Sequence, residues 1–339
     1  MSIEVRTAAP GPRPSLVKDP TDPRPTPKPS AAAAAGISHD TGWSIGDKAG
    51  LIAAWVCGIS LCVIAASIVL FMAWKGIQFL HLDMLTTSPQ ASLDQSANGG
   101  FLDPLVGTLL LTAIGIAFAV PTGVAIAVWL TEYGRPAGLA RLVESGVEIV
   151  AGTPSIVLAI FGLLVFQQSF MGIFSFTAEG GAVFGRSFLT AGAMMALIAL
   201  PLVIGSTREA LNTIPRHVRE ASYALGKDKA STIRRVLLPS ARNGIATGAT
   251  FGMGRICGDT AIVVILLGAS MQTTPESGFF GLFRGTGSTL TSYVYNNSPA
   301  GEGNAPDKAY AAAFVLLMIV ILLNFVVSLI GKRKAPQWN

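Results

Sequence analysis

Charge is the scarcest ingredient of this chain: only 13% of its 339 residues are charged, against 51% hydrophobic, and the mean hydropathy is +0.55. That balance excludes an ordinary soluble domain, whose surface needs about a quarter of its residues charged. Cysteine is nearly absent. Cys57, Cys62 and Cys257 all fall inside apolar blocks, so they cannot form the even, loop-borne framework of a disulfide-stapled secreted domain and read as small packing residues. The three histidines, His39, His81 and His217, lie in three different regions, none with metal-ligand spacing to a carboxylate or cysteine, so no metal site is expected. A Gly-x-x-x-x-Gly-Lys-Ser/Thr phosphate loop is missing, which excludes ATP hydrolysis by this chain. Gly252, Gly254 and Gly258 do not fit Gly-x-Gly-x-x-Gly and lie in an apolar block, so a dinucleotide fold is excluded too. With no histidine in any long apolar block, an intramembrane Ser-His or His-Asp catalyst has no base.

What is present is membrane. Six blocks reach the length of about 20 apolar residues that a bilayer requires: 51–74, 104–131, 146–168, 187–206, 243–268 and 309–331. The expected fold is therefore all-α and integral to the membrane, with six transmembrane helices. Pro121, Pro154 and Pro201 are expected to kink or break three of them. Residues 1–50, rich in Pro and Ala, are expected to be a disordered tail with no cleaved signal peptide, and 335–339 a short terminal tail after the six-span domain, 51–334. Placing the N-terminus inside puts 19 Lys and Arg on the inner side and four, Lys75, Arg186, Arg284 and Lys308, on the outer side. Both termini and the basic loop 208–242 are therefore expected in the cytoplasm, and the net charge of +5 reflects this topology rather than nucleic-acid binding. On the outside, 75–103 and 269–308 form two polar loops, with Trp74, Phe79, Tyr293 and Tyr295 as expected interface anchors.

The loop 208–242 contains a short helix pattern. Ile214, Val218, Ala221 and Leu225 recur at helical spacing and are expected on one face; Pro215 suits the first turn and Gly226 the end. In the fifth block Gly244, Gly248, Gly252, Arg255 and Asp259 follow spacings of four, four, three and four, which places them on one narrow face of a helix. Glycines spaced in this way allow another helix to approach closely. An arginine in hydrocarbon costs from about 2.5 to about 10 kcal/mol or more, so Arg255 must face protein or water. Two roles remain open for it: a guanidinium in the path of an anion, or a brace neutralised by Asp259. Glu144, Glu148, Arg208 and Glu209 read as boundary residues.

Glu220, Ala221 and Ser222, then Gly226, then Val236, Leu238 and Pro239 form a pattern that resembles the EAA loop of ABC-importer permeases, with Ser222 in place of Ala and Val236 in place of Ile. The segments 107–134, 151–166, 208–226 and 254–268 look like the phosphate-specific Pst permeases, and SYVYNN and LLNFVV look more like their A-type subunit than the C-type. Where that family has Gly-Glu-Thr, this chain has Gly258, Asp259 and Thr260. The resemblance implies a type I importer permease of MetI-like fold, located in the cell membrane. Its implied partners are a second, C-type phosphate permease subunit, two ATP-binding subunits that hold ATP and Mg, and an external phosphate-binding protein. It implies a coupling role for Val218, Arg219, Glu220, Ala221, Ser222, Tyr223, Ala224, Leu225 and Gly226, and places Arg255 and Asp259 on the translocation path. The alternatives are a permease for another oxyanion such as sulfate or molybdate, the C-type phosphate subunit, and, from another class, a membrane scaffold or sensor that docks a cytoplasmic partner.

Overall fold

A computed structural model describes residues 45–90, 99–175, 185–268, 283–299, 301 and 305–331. The tails 1–44 and 335–339, and parts of both polar loops, lie outside the described residues. Among the described residues the chain is helical throughout, with no strand. It divides into two compact units, Met1–Cys62 and Val63–Asn339.

The described part of the first unit is the start of a long helix, α1 (Ile45–Phe79), whose apolar side chains from Leu51 to Leu61 are exposed. The helix thus begins inside the stretch expected to be tail. Exposed apolar residues along a helix this hydropathic are what a lipid-facing span presents.

The second unit contains the end of α1, then α2 (Leu82–Thr86), α3 (Leu102–Val128), α4 (Ala137–Gly152), α5 (Ser155–Phe166) and α6 (Phe188–Asn212). These are followed by α7 (Arg216–Ala224), α8 (Lys229–Thr232), α9 (Leu238–Gly258), α10 (Ala261–Leu266), α11 (Leu290–Asn297) and α12 (Pro306–Gly331). π-helical turns extend α3 over Trp129–Tyr133 and precede α9 over Ile233–Leu237.

Among the described residues four helices are long and apolar enough to cross a membrane, namely α1, α3 with its π turn, α6 and α12. The bent pair of α4 and α5 can supply a fifth crossing. Two of the six expected spans are therefore interrupted. Pro154 divides the third: α4 ends at Gly152, Thr153 is held extended as the residue before a proline must be, and α5 leaves at 108°. The fifth stops at Gly258 and resumes as the six-residue α10. Pro121 and Pro201, by contrast, lie within continuous helices. Beside Pro121, the Thr122 hydroxyl donates back onto the preceding turn, shared between the carbonyls of Phe118 and Ala119.

α6 is the centre of the bundle. A reciprocal box between Ser187 and Thr190 caps its start, and its buried residues run from Phe188 to Leu211. α3 packs along one side of it and α9 along another, and Leu111, Ile114, Met195, Ala199, Val203, Ile256 and Ile262 form one continuous core. The approach is close because small residues line it. A side chain at Gly244 would collide with Ala210, and one at Gly248 would lie 3.0 Å from the Val203 Cα atom. In lipid, where no hydrophobic drive joins helices, such contact is the main source of association. At the other end Tyr293 of α11 is buried, not an interface anchor, whereas Trp74 and Tyr295 are exposed. Burial pushes the Tyr293 phenol up to about 12, so it remains a neutral hydroxyl.

The glycine contact predicts that Gly244→Leu destabilises the bundle by overpacking, at a cost of about 1–3 kcal/mol. A lower thermal midpoint in detergent should report it, and Gly254→Leu, where a Cβ meets open space, should have little effect.

Candidate functional site

The basic loop between α6 and α9 is built around a helix too short to persist alone, since isolated helices need about 12–15 residues even with good formers. Pro215, in extended conformation, opens α7. Its end is a complete Schellman motif: Gly226 N–H donates to the Tyr223 carbonyl, Lys227 N–H donates to the Ser222 carbonyl, and Gly226 takes φ +74°, which glycine adopts without steric cost.

The inward face of α7 differs from the expected one. Ile214 and Val218 are buried with Leu211, Ile233 and Leu237, whereas Ala221 is exposed and Leu225 is 78% exposed. The helix ends at Ala224, and the left-handed glycine then turns the chain, so Leu225 leaves the face that its spacing assigned to it. The second inward residue is Ser222, 5% exposed, whose hydroxyl lies 2.8 Å from that of the fully buried Thr232. The substitution of Ser for Ala in the EAA pattern thus makes a buried hydrogen bond. Outward, Ala221, Tyr223, Ala224, Leu225 and Gly226 form a small apolar tip beside the exposed Glu220.

Arg219 holds this loop to the bundle. It donates to the carbonyls of Leu211 at 2.9 Å and Ile214 at 2.7 Å, at the negative end of α6, and pairs with the Glu132 carboxylate at 3.0 Å. Glu132 is on the π turn after α3, its side chain 8% exposed. Lys229 donates to the Glu132 backbone carbonyl and lies 4.4 Å over the Tyr133 ring. Neither Glu132 nor Lys229 was among the expected site residues. The available signal was that Glu132 is the single acidic residue between Asp103 and Glu144. Of the boundary residues, Arg208 near the end of α6 pairs with Glu144 in the middle of α4 at 2.5 Å.

At α9 the five residues of the stripe are only partly brought together. Gly244, Gly248 and Gly252 approach α6. Arg255, in the last turn, is 47% exposed by side chain, and Asp259, beyond the helix end, is 3% exposed. They are 3.9 Å apart, at the limit of an ion pair. Asp259 also serves the backbone, since its Oδ1 accepts the Ile262 N–H at 3.0 Å and so caps the start of α10 from an extended conformation. A short acidic side chain suits that reach. Arg255 is thereby left largely accessible, a guanidinium able to bind an oxyanion through two parallel hydrogen bonds. Beside the break, Cys257 is buried with its sulfur 3.1 Å from the Thr112 hydroxyl of α3.

Residues 119–337 match the family described as the binding-protein-dependent transport system inner membrane component. The chain belongs to this family. Phosphate transport system permease protein PstA 1 of Mycobacterium tuberculosis is 32% identical over 74% of this chain and 77% of its own length. PstC proteins are similar as well: that of Mycobacterium leprae is 30% identical over 77% of this chain and 84% of its own. Relatives of both types at this level leave the A-type preference undivided from the C-type. Among solved structures, a chain from the crystal structure of a bacterial alginate ABC transporter in complex with its alginate-bound periplasmic protein superposes with a TM-score of 0.59 over 87% of this chain and 98% of its own at 17% identity, which shows a shared fold.

The Asp259 cap separates two substitutions. Asp259→Asn keeps the acceptor and should melt near wild type, whereas Asp259→Ala should lose about 0.5–2 kcal/mol, the worth of a helix cap. Equal losses in thermal melts of the purified protein would instead mark the charge as the stabilising feature.

Proposed function

We propose that this chain is the permease subunit of an ATP-driven importer of inorganic phosphate, forming the path with a second, non-identical permease. The observation that carries this reading is the apolar tip at Ala221, Tyr223 and Leu225, presented on a basic loop that Arg219 and Ser222 hold rigid. A surface of that kind is suited to a groove on another protein. Val218 to Gly226 form the coupling element, and two ATP-binding subunits, which hold ATP and Mg, drive it. The Lys and Arg asymmetry supports an orientation in the cell membrane with the loop and both termini in the cytoplasm.

Phosphate as cargo is supported by the names of the relatives and by the accessible Arg255 at the break in α9. Arg255 meets the anion in the path, while Asp259 shapes the turn that presents it. An external phosphate-binding protein delivers the substrate and sets selectivity. The A-type assignment rests on SYVYNN and LLNFVV; the identity to PstC proteins favours the C-type as the second reading.

The complex that co-isolates with this chain, assayed with binding protein loaded with phosphate, sulfate or nothing, tests the proposal. Stimulation of ATP hydrolysis by the phosphate-loaded form alone is expected; equal stimulation by sulfate would reassign the oxyanion, and absence of any ATPase would overturn the coupling role. Arg255→Leu should lower phosphate uptake at least tenfold in a complex that still assembles. Leu225→Asp should release the ATP-binding subunits during purification while the permease pair stays together.

A further inference from the structure

Both limbs of the basic loop converge on one residue that belongs to neither. Arg219 of α7 takes the Glu132 side chain, with Nε at 3.1 Å and Nη2 at 3.0 Å from the same carboxylate oxygen. Lys229, from the other limb, takes the Glu132 backbone carbonyl and covers the Tyr133 ring. Trp129, Glu132, Tyr133, Arg135 and Lys229 line one cavity there, so the junction has a polar lining rather than being closed by apolar packing. Both Arg219 contacts fall on this one well-buried carboxylate.

From Glu132 the helix α3 runs back for 20 residues to Thr112, about 30 Å at 1.5 Å per residue. There it touches the far end of α9. The Thr112 hydroxyl meets the Cys257 sulfur at 3.1 Å, and Ile256 fills the notch left by Gly115, where a Cβ would come within 2.8 Å. Residues 256 and 257 directly follow Arg255 and precede the Asp259 turn. One continuous helix therefore has the loop fastened to one end and the break in α9 packed against the other. Of the two chain connections of the loop, one passes through the turn at Thr213 and Ile214 and the other continues as helix through the π turn Ile233–Leu237 into α9, so α3 is a second, separate route from the loop to the break.

We infer that Glu132 is a positioning residue that latches the coupling loop to α3, so that movement of the loop is carried along α3 to the Arg255–Asp259 break. The inference rests on the reading of this chain as a coupled importer permease. In it, Arg219 is the moving hook, Glu132 the eye, and Thr112 with Gly115 the distal contact. Uncoupling is the expected defect: the partner subunits still bind and hydrolyse ATP, and less solute crosses per ATP.

The test uses the complete importer in proteoliposomes with its binding protein, measuring phosphate uptake and ATP hydrolysis in the same vesicles. The wild-type complex must first transport phosphate; if it does not, the function proposed above fails before the latch is examined. Glu132→Gln should assemble, hydrolyse ATP within about threefold of wild type and take up at least tenfold less phosphate per ATP. Combining it with Arg219→Lys should make the ratio no worse than the poorer single variant, because both act through one contact. If Glu132→Gln is not recovered, Glu132→Asp, which keeps the charge, should still assemble with a two- to fivefold loss of uptake per ATP. A wild-type ratio in whichever variant assembles, or additive losses in the double variant, would overturn the latch. Failure of both Glu132 variants to assemble would also overturn it, leaving Glu132 a folding residue.

Discussion

The close approach of α9 and α3 to α6 is the constraint on which the rest depends. In hydrocarbon the helices gain nothing from hiding apolar surface from each other, because lipid is equally apolar, so their association relies on backbone-close contact. Gly244 and Gly248 supply it on α9 against Val203, Ser206 and Ala210, and Gly115, Gly123 and Gly192 do so around α3 and α6. A bundle held in this way is dense at its centre. It is also intolerant of added volume, so polar work has to be done at helix ends and breaks.

Both polar centres follow that rule. The Asp259 turn interrupts a helix within the core, and the interruption is satisfied locally: the acid that ends one helix caps the next. The basic loop lies at the C-terminal ends of α3 and α6, where terminal carbonyls need donors, and at the start of α9. Arg219 serves two of those carbonyls and an acid at once. One side chain therefore satisfies the end of α6, fixes a nine-residue helix that could not persist alone, and ties in α3. The exposed tip that results is rigid without being large.

Much of this was legible along the chain. The Pro215 start, the Gly226 end and the burial of Val218 follow from backbone preference and spacing, as do the apolar spans α1, α3, α6 and α12. The errors have physical causes. Periodicity assumes that a helix continues, and α7 stopped before Leu225 while α9 stopped before Asp259. Pro154 marked a bend, but a proline alone does not distinguish a kink from a 108° turn, as the continuous helices around Pro121 and Pro201 demonstrate. The expected single face containing Arg255 and Asp259 became an exposed cation and a buried cap for the same reason.

Hydropathy, charge and turn chemistry are local properties, so the chain alone identifies a helical membrane protein, the places where its charges concentrate and the short loop that carries the EAA-like pattern. It takes the packed bundle to show that Glu132, 87 residues from Arg219, is its partner, that Ser222 meets Thr232, and that Asp259 caps rather than chiefly pairs. Those assignments depend on which helix ends meet in space, and no spacing along a single segment encodes the meeting of two.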